Sequence, residues 1–571
     1  MSPMLGVFAT LLLCSLGSGL PLSAKTPLIS LDYNWRNVTC STCKVFFTAL
    51  DISLQVESNM DLVASVAVKV CETMHLEEPS VCKQVIQLFK QDVIMAWVFS
   101  VLRPSEICGL LLGSDCGHWD IGVEWNITLP PVPKPPVQPP VAPATGSPIS
   151  RVLFLTDIHW DHDYSPGGPI TCKEPLCCRK HQSGGHGSAG FWGEYSKCDL
   201  PLHTIESLLS HVARSGPYDR VYWTGDIPAH NIWEQTRAEQ LNTLGTVTGL
   251  IKKYLGPVPV YPAVGNHESA PVNSFPPPSV HGNLSSSWLY QAMAQEWKEW
   301  LSPEALDTLS TTGFYTVKIG SGLRLVSLNM NYCSTDNFWL LINFTDPAGQ
   351  LQWLVNVLQE AENNHEKVHI IGHIPPGLCL KSWSWNYYRI INRYESTIAG
   401  QFFGHTHVDE FEIFYDEETL SRPVSVAYIA PSVTTYIDLN PGYRVYQIDG
   451  EYTNSSHVVL DHETYILNLT EANKQKEEAQ WTFLYSALNT YGMKSAFPSD
   501  WDNLIQRFLQ DEKLFQTFWF LHHKGHVNEV CEQTCKRTVI CNLRTGRSSD
   551  PRLCKDLGLN GKPTWKRKSF C

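Results

Sequence analysis

Charge is scarce in this chain, and basic charge is scarcer still. Asp, Glu, Lys and Arg make up 17% of its 571 residues, and 56 acids against 43 bases leave a net charge of −13. A general nucleic-acid binder needs a cationic face, so the balance argues against that class. Long apolar runs are nearly missing as well. The one candidate is the N-terminal "MSPMLGVFATLLLCSLGSGLPLSA", whose core runs from Leu5 to Leu16. Ser and Gly interrupt it short of the roughly 20 apolar residues of a membrane span. Small residues follow the core, though no Lys or Arg precedes it, and it reads as a secretory signal peptide over residues 1–24. No other stretch is long enough to cross a bilayer, and there are no internal repeats. What remains has a globular composition, 43% hydrophobic. It is too long for one core, so two or three domains are expected.

Cysteine is not lacking. Of 18 cysteines, removal of Cys14 with the signal leaves 17. Export makes oxidation the expectation, with up to eight disulfides and one thiol, for which Cys571 is the candidate. Sequons at Asn37, Asn126, Asn283, Asn343, Asn454 and Asn468 point to glycosylation.

Proline marks the clearest boundary. In "PPVPKPPVQPPVAPATGSP", residues 130–148, nine of 19 residues are Pro, which removes backbone donors and favours extended polyproline II. Such a linker reaches up to roughly 60 Å at about 3.1 Å per residue. Before it, residues 36–120 carry Cys40, Cys43, Cys71, Cys82, Cys108 and Cys116 among helical patterns such as "LVASVAVKVCETM" and "VCKQVIQLFKQDVIMAWVF". So short a helical segment has a marginal core, and bridges suit it. The six-cysteine spacing resembles that of saposin-type domains. The resemblance implies the pairs Cys40–Cys116, Cys43–Cys108 and Cys71–Cys82, and apolar helical faces that bind lipid. Packing of those faces on each other or on the main domain is the alternative. In an exported chain "CSTC" at 40–43 is structural rather than a redox or zinc motif.

After the linker, apolar strands alternate with helical stretches. The strands are "RVLFLTD", "RVYWTGD", "VYPAVGNHE", "LRLVSLNMN", "KVHIIGH" and "IAGQFFGHTH"; "PLHTIESLLSHVA" and "AGQLQWLVNVLQEAENN" read as helices. This alternation predicts an α/β layered domain over residues 149–464. Beyond about residue 465 the pattern turns mostly helical, as in "WDNLIQRFLQDEKLFQTFWFL", predicting a C-terminal helical subdomain over 465–571. The fold class expected is therefore multidomain: a helical saposin-type domain, an α/β sandwich and a helical subdomain.

Polar residues recur where those strands end: Asp157 and His159, then Asp226, then Asn266, His267 and Glu268, then His373, then His405 and His407. Strand-to-loop junctions are where α/β sheets place their sites. Any one of these has an ordinary reading as a turn residue. Five fragments that each close an apolar strand with metal-competent donors point to one site.

The order D-x-H, G-D, G-N-H-E, G-H, G-H-x-H resembles the calcineurin-like metallophosphoesterase family over roughly residues 150–440. The resemblance implies two metal ions, with Asp157, His159 and His407 on the first, Asn266, His373 and His405 on the second, and Asp226 bridging. Side chains two apart on a strand point alike, which would carry Asp157 and His159 to one ion. Four imidazoles, two carboxylates and one amide suit two Zn²⁺ ions better than Mg²⁺ or Ca²⁺. Two further absences narrow the family. "GDIPAHNIW" lacks the Tyr of the iron–tyrosinate purple acid phosphatases and the Asp-Arg of protein Ser/Thr phosphatases.

Adjacent metals activate water and neutralise phosphoryl oxygens in an in-line displacement. The leaving alkoxide then needs a proton, a role the resemblance gives to His267. His230 could assist, or be a surface-loop residue. His162 and Asp163 read as outer or surface residues. A saposin module tethered to a secreted phosphoesterase points to a lipid phosphodiester. With its halves joined, the chain resembles the acid sphingomyelinase family from about residue 30 onward, through "DIHWDHDY", "FWGEYSKCDLPL", "YPAVGNHESAPVNSFPPP" and "FFGHTHVDEFE". That resemblance implies hydrolysis of sphingomyelin to ceramide and phosphocholine, at acidic pH, in lysosomes or after secretion. The expected partners are the lipid substrate and, through the saposin-type domain, the bilayer surface, with the protein a monomer. The aromatic "KSWSWNYYRI", residues 381–390, could hold a choline ammonium by cation–π contact, sit in lipid, or pack in the core. The rivals are a nucleotide phosphodiesterase of the same family, which would lack residues 36–120, and a lipid-transfer protein with a dead site, which would have lost donors.

Overall fold

The computed structural model describes residues 57–100 and 125–558 short of a few scattered positions, with only isolated residues between 40 and 48 and between 103 and 108. The signal segment, Cys571, and one partner in each of the pairings Cys40–Cys116 and Cys43–Cys108 lie outside the described residues. The chain divides into two compact units.

In the first unit, helices α1 (Glu57–Thr73) and α2 (Pro79–Val98) pack together. Ala64, Ala67, Val70 and Ile86 bury a stripe at helical spacing. The expected bridge Cys71–Cys82 ties the end of one helix to the start of the next, and Pro79 opens α2 where its missing N–H is harmless. Among the described residues no helix is long and apolar enough to cross a membrane.

The second unit is a two-sheet sandwich. Strands β1 (Ile149–Leu155), β2 (Arg220–Trp223) and β3 (Val260–Pro262) run parallel. Strands β4 (Tyr315–Gly320), β5 (Leu323–Ser327), β6 (Lys367–Ile371), β7 (Ile398–Phe403), β8 (Glu410–Tyr415) and β9 (Pro423–Ile429) build the second sheet, in the order β4-β5-β6-β7-β9-β8. The chain then returns through β10 (Gly442–Asp449), β11 (Val459–Leu467) and β12 (Trp481–Ser486) to complete the first, in the order β12-β11-β10-β1-β2-β3. All six strands read from the sequence are present, as β1, β2, β3, β5, β6 and β7. They are mutually parallel within each sheet, and parallel strands covered on both faces read as near-continuous apolar runs. Between the sheets Phe154, Phe402, Tyr428 and Tyr446 meet at centroid separations of 4.9 to 6.4 Å, a largely aromatic core.

Helices α3 (Leu202–Ser215), α4 (Arg237–Leu255), α5 (Gln350–Asn363) and α6 (Lys381–Arg393) flank the sheets, and α7 (Pro498–Gln510), α8 (Glu512–His522) and α9 (Gln533–Arg544) follow β12. α7 packs on β9 and α9 on β8. The tail is thus mostly helical but contributes a strand, β12. The helical stretch at 501–521 is divided between α7 and α8, because Asp511 ends the first and caps the second by accepting from Leu514 N at 3.0 Å.

α6 is the aromatic run. Trp383, Tyr387 and Tyr388 are buried within the fold, so for these rings core packing displaces the choline and lipid readings. Trp385, partly exposed, carries the Arg547 guanidinium 4.3 Å from its ring centre. The proline-rich segment is strapped at its start. Thr128 N donates to Gln352 Oε1 (3.1 Å), Gln352 Nε2 returns a bond to Thr128 O (3.0 Å), Ile127 N donates to Asn386 Oδ1 (3.0 Å), and Lys134 pairs with Glu395. Further disulfides join Cys172–Cys177, Cys178–Cys198, Cys333–Cys379, Cys531–Cys535 and Cys541–Cys554, as export predicts.

Candidate functional site

The C-terminal ends of β1, β2, β3, β6 and β7 converge from both sheets. Strand alternation does not bring Asp157 and His159 together, because β1 stops at Leu155. They follow it in left-handed backbone, with φ of 51° and 44°, and Asp226, His405 and His407 do the same at 55°, 75° and 62°. Such conformations cost a non-glycine residue about 1–3 kcal/mol and persist where surrounding contacts fix them. Here Asp157 N donates to Gly225 O (3.0 Å), His159 N to Asp226 O (3.1 Å) and Trp160 N to Ile227 O (2.8 Å), so the two turns hold each other. The glycines before Asn266 and His405 are a matter of space. A Cβ on Gly404 would stand 2.0 Å from Thr156 Oγ1 and 2.6 Å from Asp157 Oδ2, and one on Gly265 would stand 2.1 Å from Asp226 Oδ1.

Six of the seven expected donors fall into two trios, buried but for a partly exposed His405: Asp157–His159–His407 and Asp226–His373–His405, each with its ligand atoms within 4.8 Å of one another. Within the trios His407 Nε2 is 3.2 Å from His159 Nε2, and His405 Nδ1 is 3.2 Å from His373 Nε2. The trios adjoin, with His373 Nε2 3.8 Å from Asp157 Oδ1. Asp226 faces both, with Oδ2 3.6 Å from His159 Nε2 and 3.0 Å from His373 Nε2, while its Oδ1 accepts from His267 N (2.9 Å). Three imidazoles are oriented from behind: Nδ1 of His159, His373 and His407 meets the carbonyls of Pro228 (2.7 Å), Thr224 (2.7 Å) and Tyr436 (2.6 Å). That fixes the tautomer and leaves Nε2 as the ligand atom, the usual arrangement behind a metal-binding histidine. The seventh expected donor, Asn266, is buried in the loop after β3.

The charges fit a cation. Asp157 and Asp226 are essentially unexposed. Burial, the largest single influence, would raise both carboxyls, yet the surrounding imidazoles together outweigh it, His373 with His407 holding Asp157 below and His373 with His267 and His159 holding Asp226 well below the usual range. Burial likewise opposes charge on His373, but Asp226 and Asp157 lift it to about 9. Burial pushes His405 down to about 3 and His159 well below its ordinary value. Ionised carboxylates beside imidazoles, with His373 giving up its proton as it ligates, are the donor set that a borderline-soft divalent ion takes. These His and Asp groups are able to bind metal ions.

His267 and His230 both reach this centre. His267 lies 4.8 Å from His159 and 4.7 Å from His230, ring centre to ring centre, and His230 lies 4.1 Å from His159. His230 is a buried residue, not a surface-loop one. Its Nδ1 is 2.9 Å from both oxygens of Asp199, its backbone N donates to the same carboxylate at 2.7 Å, and among the described residues its Nε2 makes no hydrogen bond. Sequence reasoning missed Asp199. It stands in a loop beside Cys198, at no strand end, and carried no positional signal. Glu268, pushed up to about 8 by burial and the Asp226 charge, accepts from Ile227 N (2.7 Å) and braces the loops after β2 and β3. His162, exposed, stacks on Trp160 at 3.7 Å, and Asp163 is exposed beside it.

The model of the calcineurin-like phosphoesterase family matches residues 150–409, and that of the acid sphingomyelin phosphodiesterase C-terminal region matches residues 422–552. Sphingomyelin phosphodiesterase of Bos taurus is 62% identical over 535 residues, covering 93% of this chain and 86% of that protein. The Homo sapiens protein of the same name is 60% identical over 548 residues, covering 94% and 87%. Cyclic GMP-AMP phosphodiesterase SMPDL3A of Rattus norvegicus is 32% identical over 426 residues, covering 71% and 91%. Five strand ends delivering the phosphoesterase donors, and identity of this order over nearly the whole length, lead to one conclusion: the chain belongs to the sphingomyelin phosphodiesterase family.

Proposed function

We propose that this protein hydrolyses sphingomyelin to ceramide and phosphocholine, in lysosomes or after secretion, with two Zn²⁺ ions. One would be held by Asp157, His159 and His407, the other by Asn266, His373 and His405, with Asp226 shared. The observation that carries the reading is the convergence of two adjoining donor trios on one carboxylate, in a chain so close to sphingomyelin phosphodiesterases. When bound, the ions supply Lewis acidity at the phosphoryl oxygens.

The chain's own residues do the rest. The leaving ceramide oxygen needs a proton, and His267 is the donor, being fixed through its backbone N–H to Asp226. Burial pushes His267 down to about 4, which favours work at acid pH. His230 stands beside it with Asp199 on Nδ1, so its Nε2 is the atom turned to the reaction. Residues 36–120 act as the saposin-type module that presents lipid, ahead of the linker at 130–148, the catalytic domain at 149–464 and the helical subdomain at 465–571, and the protein works as a monomer at the bilayer surface.

The test is product release by purified protein from sphingomyelin vesicles and, in parallel, from a cyclic dinucleotide. Phosphocholine release that a chelator abolishes and Zn²⁺ restores is expected. Cleavage of the nucleotide alone, or full activity in metal-free protein, would refute the reading.

A further inference from the structure

Lys524 follows α8, more than a hundred residues past the last donor motif, and its side chain is wholly buried. Its Nζ donates to Ser432 O (3.0 Å), Ser432 Oγ (2.7 Å) and Thr434 O (3.0 Å). Three acceptors match the three N–H groups of an ammonium, though burial pushes the Lys524 amine well below its ordinary value. The turn that presents it is pinned on both sides, since Asn440 Nδ2 donates to Lys524 O (2.9 Å) and Asp409 N to His522 O (2.9 Å).

The loop it grips, residues 432–436, touches the centre through several contacts. Tyr436 O takes the Nδ1 contact of His407 (2.6 Å), and Ser432 N donates to His407 O (3.3 Å). Thr434 N donates to Asp157 O (2.9 Å). Thr434 Oγ1 donates to Asp199 Oδ1 (2.9 Å), and the Tyr436 ring stacks on His230 at 4.0 Å. Each acceptor on Lys524 is therefore one bond away from a donor or a proton-handling residue. In a buried, fully satisfied network, loss of one member leaves its partners unpaired.

We propose that Lys524 is a positioning residue: its Nζ clamps the 432–436 loop and, through that loop, aims His407 at the metal and His230 at the substrate. The C-terminal segment is then part of the catalytic apparatus rather than a covering. The inference rests on the metal-centre reading above.

The test is metal retention by purified full-length holoenzyme against graded chelator, at a temperature far below melting, beside kcat and KM on a soluble phosphodiester. Lys524→Met should give up metal at a chelator concentration about 10- to 100-fold lower than wild type, the scale of lost support behind a ligand. Its kcat should fall while KM stays near wild type. Ser432→Ala, which removes one of the three acceptors, should shift retention the same way by less. A folded Lys524→Met that holds metal like wild type overturns the inference. If that variant does not fold, an unmoved Ser432→Ala overturns it. A wild type that never holds metal sinks the metal-centre reading instead.

Discussion

Asp199→Asn isolates the proton-handling half of the site from its metal half. The carboxylate is fully buried and takes three donors: His230 N at 2.7 Å, His230 Nδ1 at 2.9 Å and Thr434 Oγ1 at 2.9 Å. Burial opposes its charge, yet His230 outweighs that and holds the carboxyl below its usual range. An amide keeps one acceptor oxygen and turns an NH₂ group toward donors, so at least one contact becomes donor against donor. If the NH₂ faces Nδ1, the imidazole must move its proton to Nε2, the atom turned to the reaction. A hydrogen bond to a charged group is worth about 1.5–3 kcal/mol. At about 1.4 kcal/mol per tenfold in rate, kcat should drop about 10- to 100-fold. KM should hardly move, since the bond matters in the transition state rather than in binding. Steady-state kinetics on a soluble phosphodiester, with metal analysis and a melting curve on the same preparation, reads all of this. Unchanged kcat in a folded, metal-loaded variant would refute the assignment of His230. A loss that simply follows lost metal would show that Asp199 serves the ligands instead.

Four further outcomes are expected. His267→Ala should cut kcat by about 10²–10⁴-fold, the scale of a general acid, with metal content near wild type; intact turnover would remove its role. Gly404→Ala, whose new Cβ would meet Thr156 Oγ1 at 2.0 Å, should displace Asp157 and yield protein poor in metal by elemental analysis. Since His373 sits at about 9 in the metal-free chain, metal loading at pH 7 should release its proton, and apparent affinity should rise as pH rises toward 9; calorimetry in buffers of different ionisation enthalpy that finds no released proton would contradict this. Removing residues 25–125, which leaves the strap at 127–134 in place, should harm hydrolysis of vesicle-borne sphingomyelin more than that of a soluble phosphodiester; equal losses would deny the first unit a lipid role.

The parallel strands and the donors at their ends were legible for one reason. Strands covered on both faces are apolar at nearly every position, as in Val152–Leu155 and Val221–Trp223, so the polar residue that ends each run stands out. β11 did not announce itself. Its burial alternates along Val459–Leu467, and a residue such as His462, fully buried against Trp501, reads in sequence as an ordinary polar position. The helix of 381–393 was visible as aromatic density, but whether its rings faced choline or the core depended on which side packs, and Trp383, Tyr387 and Tyr388 turn inward.

What the sequence could not show is the layer behind the donors. Asp157 and His159 were expected to share a direction because they are two apart, whereas left-handed turns locked to Gly225 and Asp226 achieve it. Asp199, Thr434, Tyr436 and Lys524 belong to no periodic pattern, and each acts on a residue between about thirty and several hundred positions away. Ligand identity is local chemistry and leaves a mark in spacing. Ligand orientation is a property of the packed chain, because a carbonyl serves as a support for an imidazole wherever the fold brings it, whatever side chain it carries. The supports of His159, His373 and His407 are the backbone oxygens of Pro228, Thr224 and Tyr436, three residue types with nothing in common but their place.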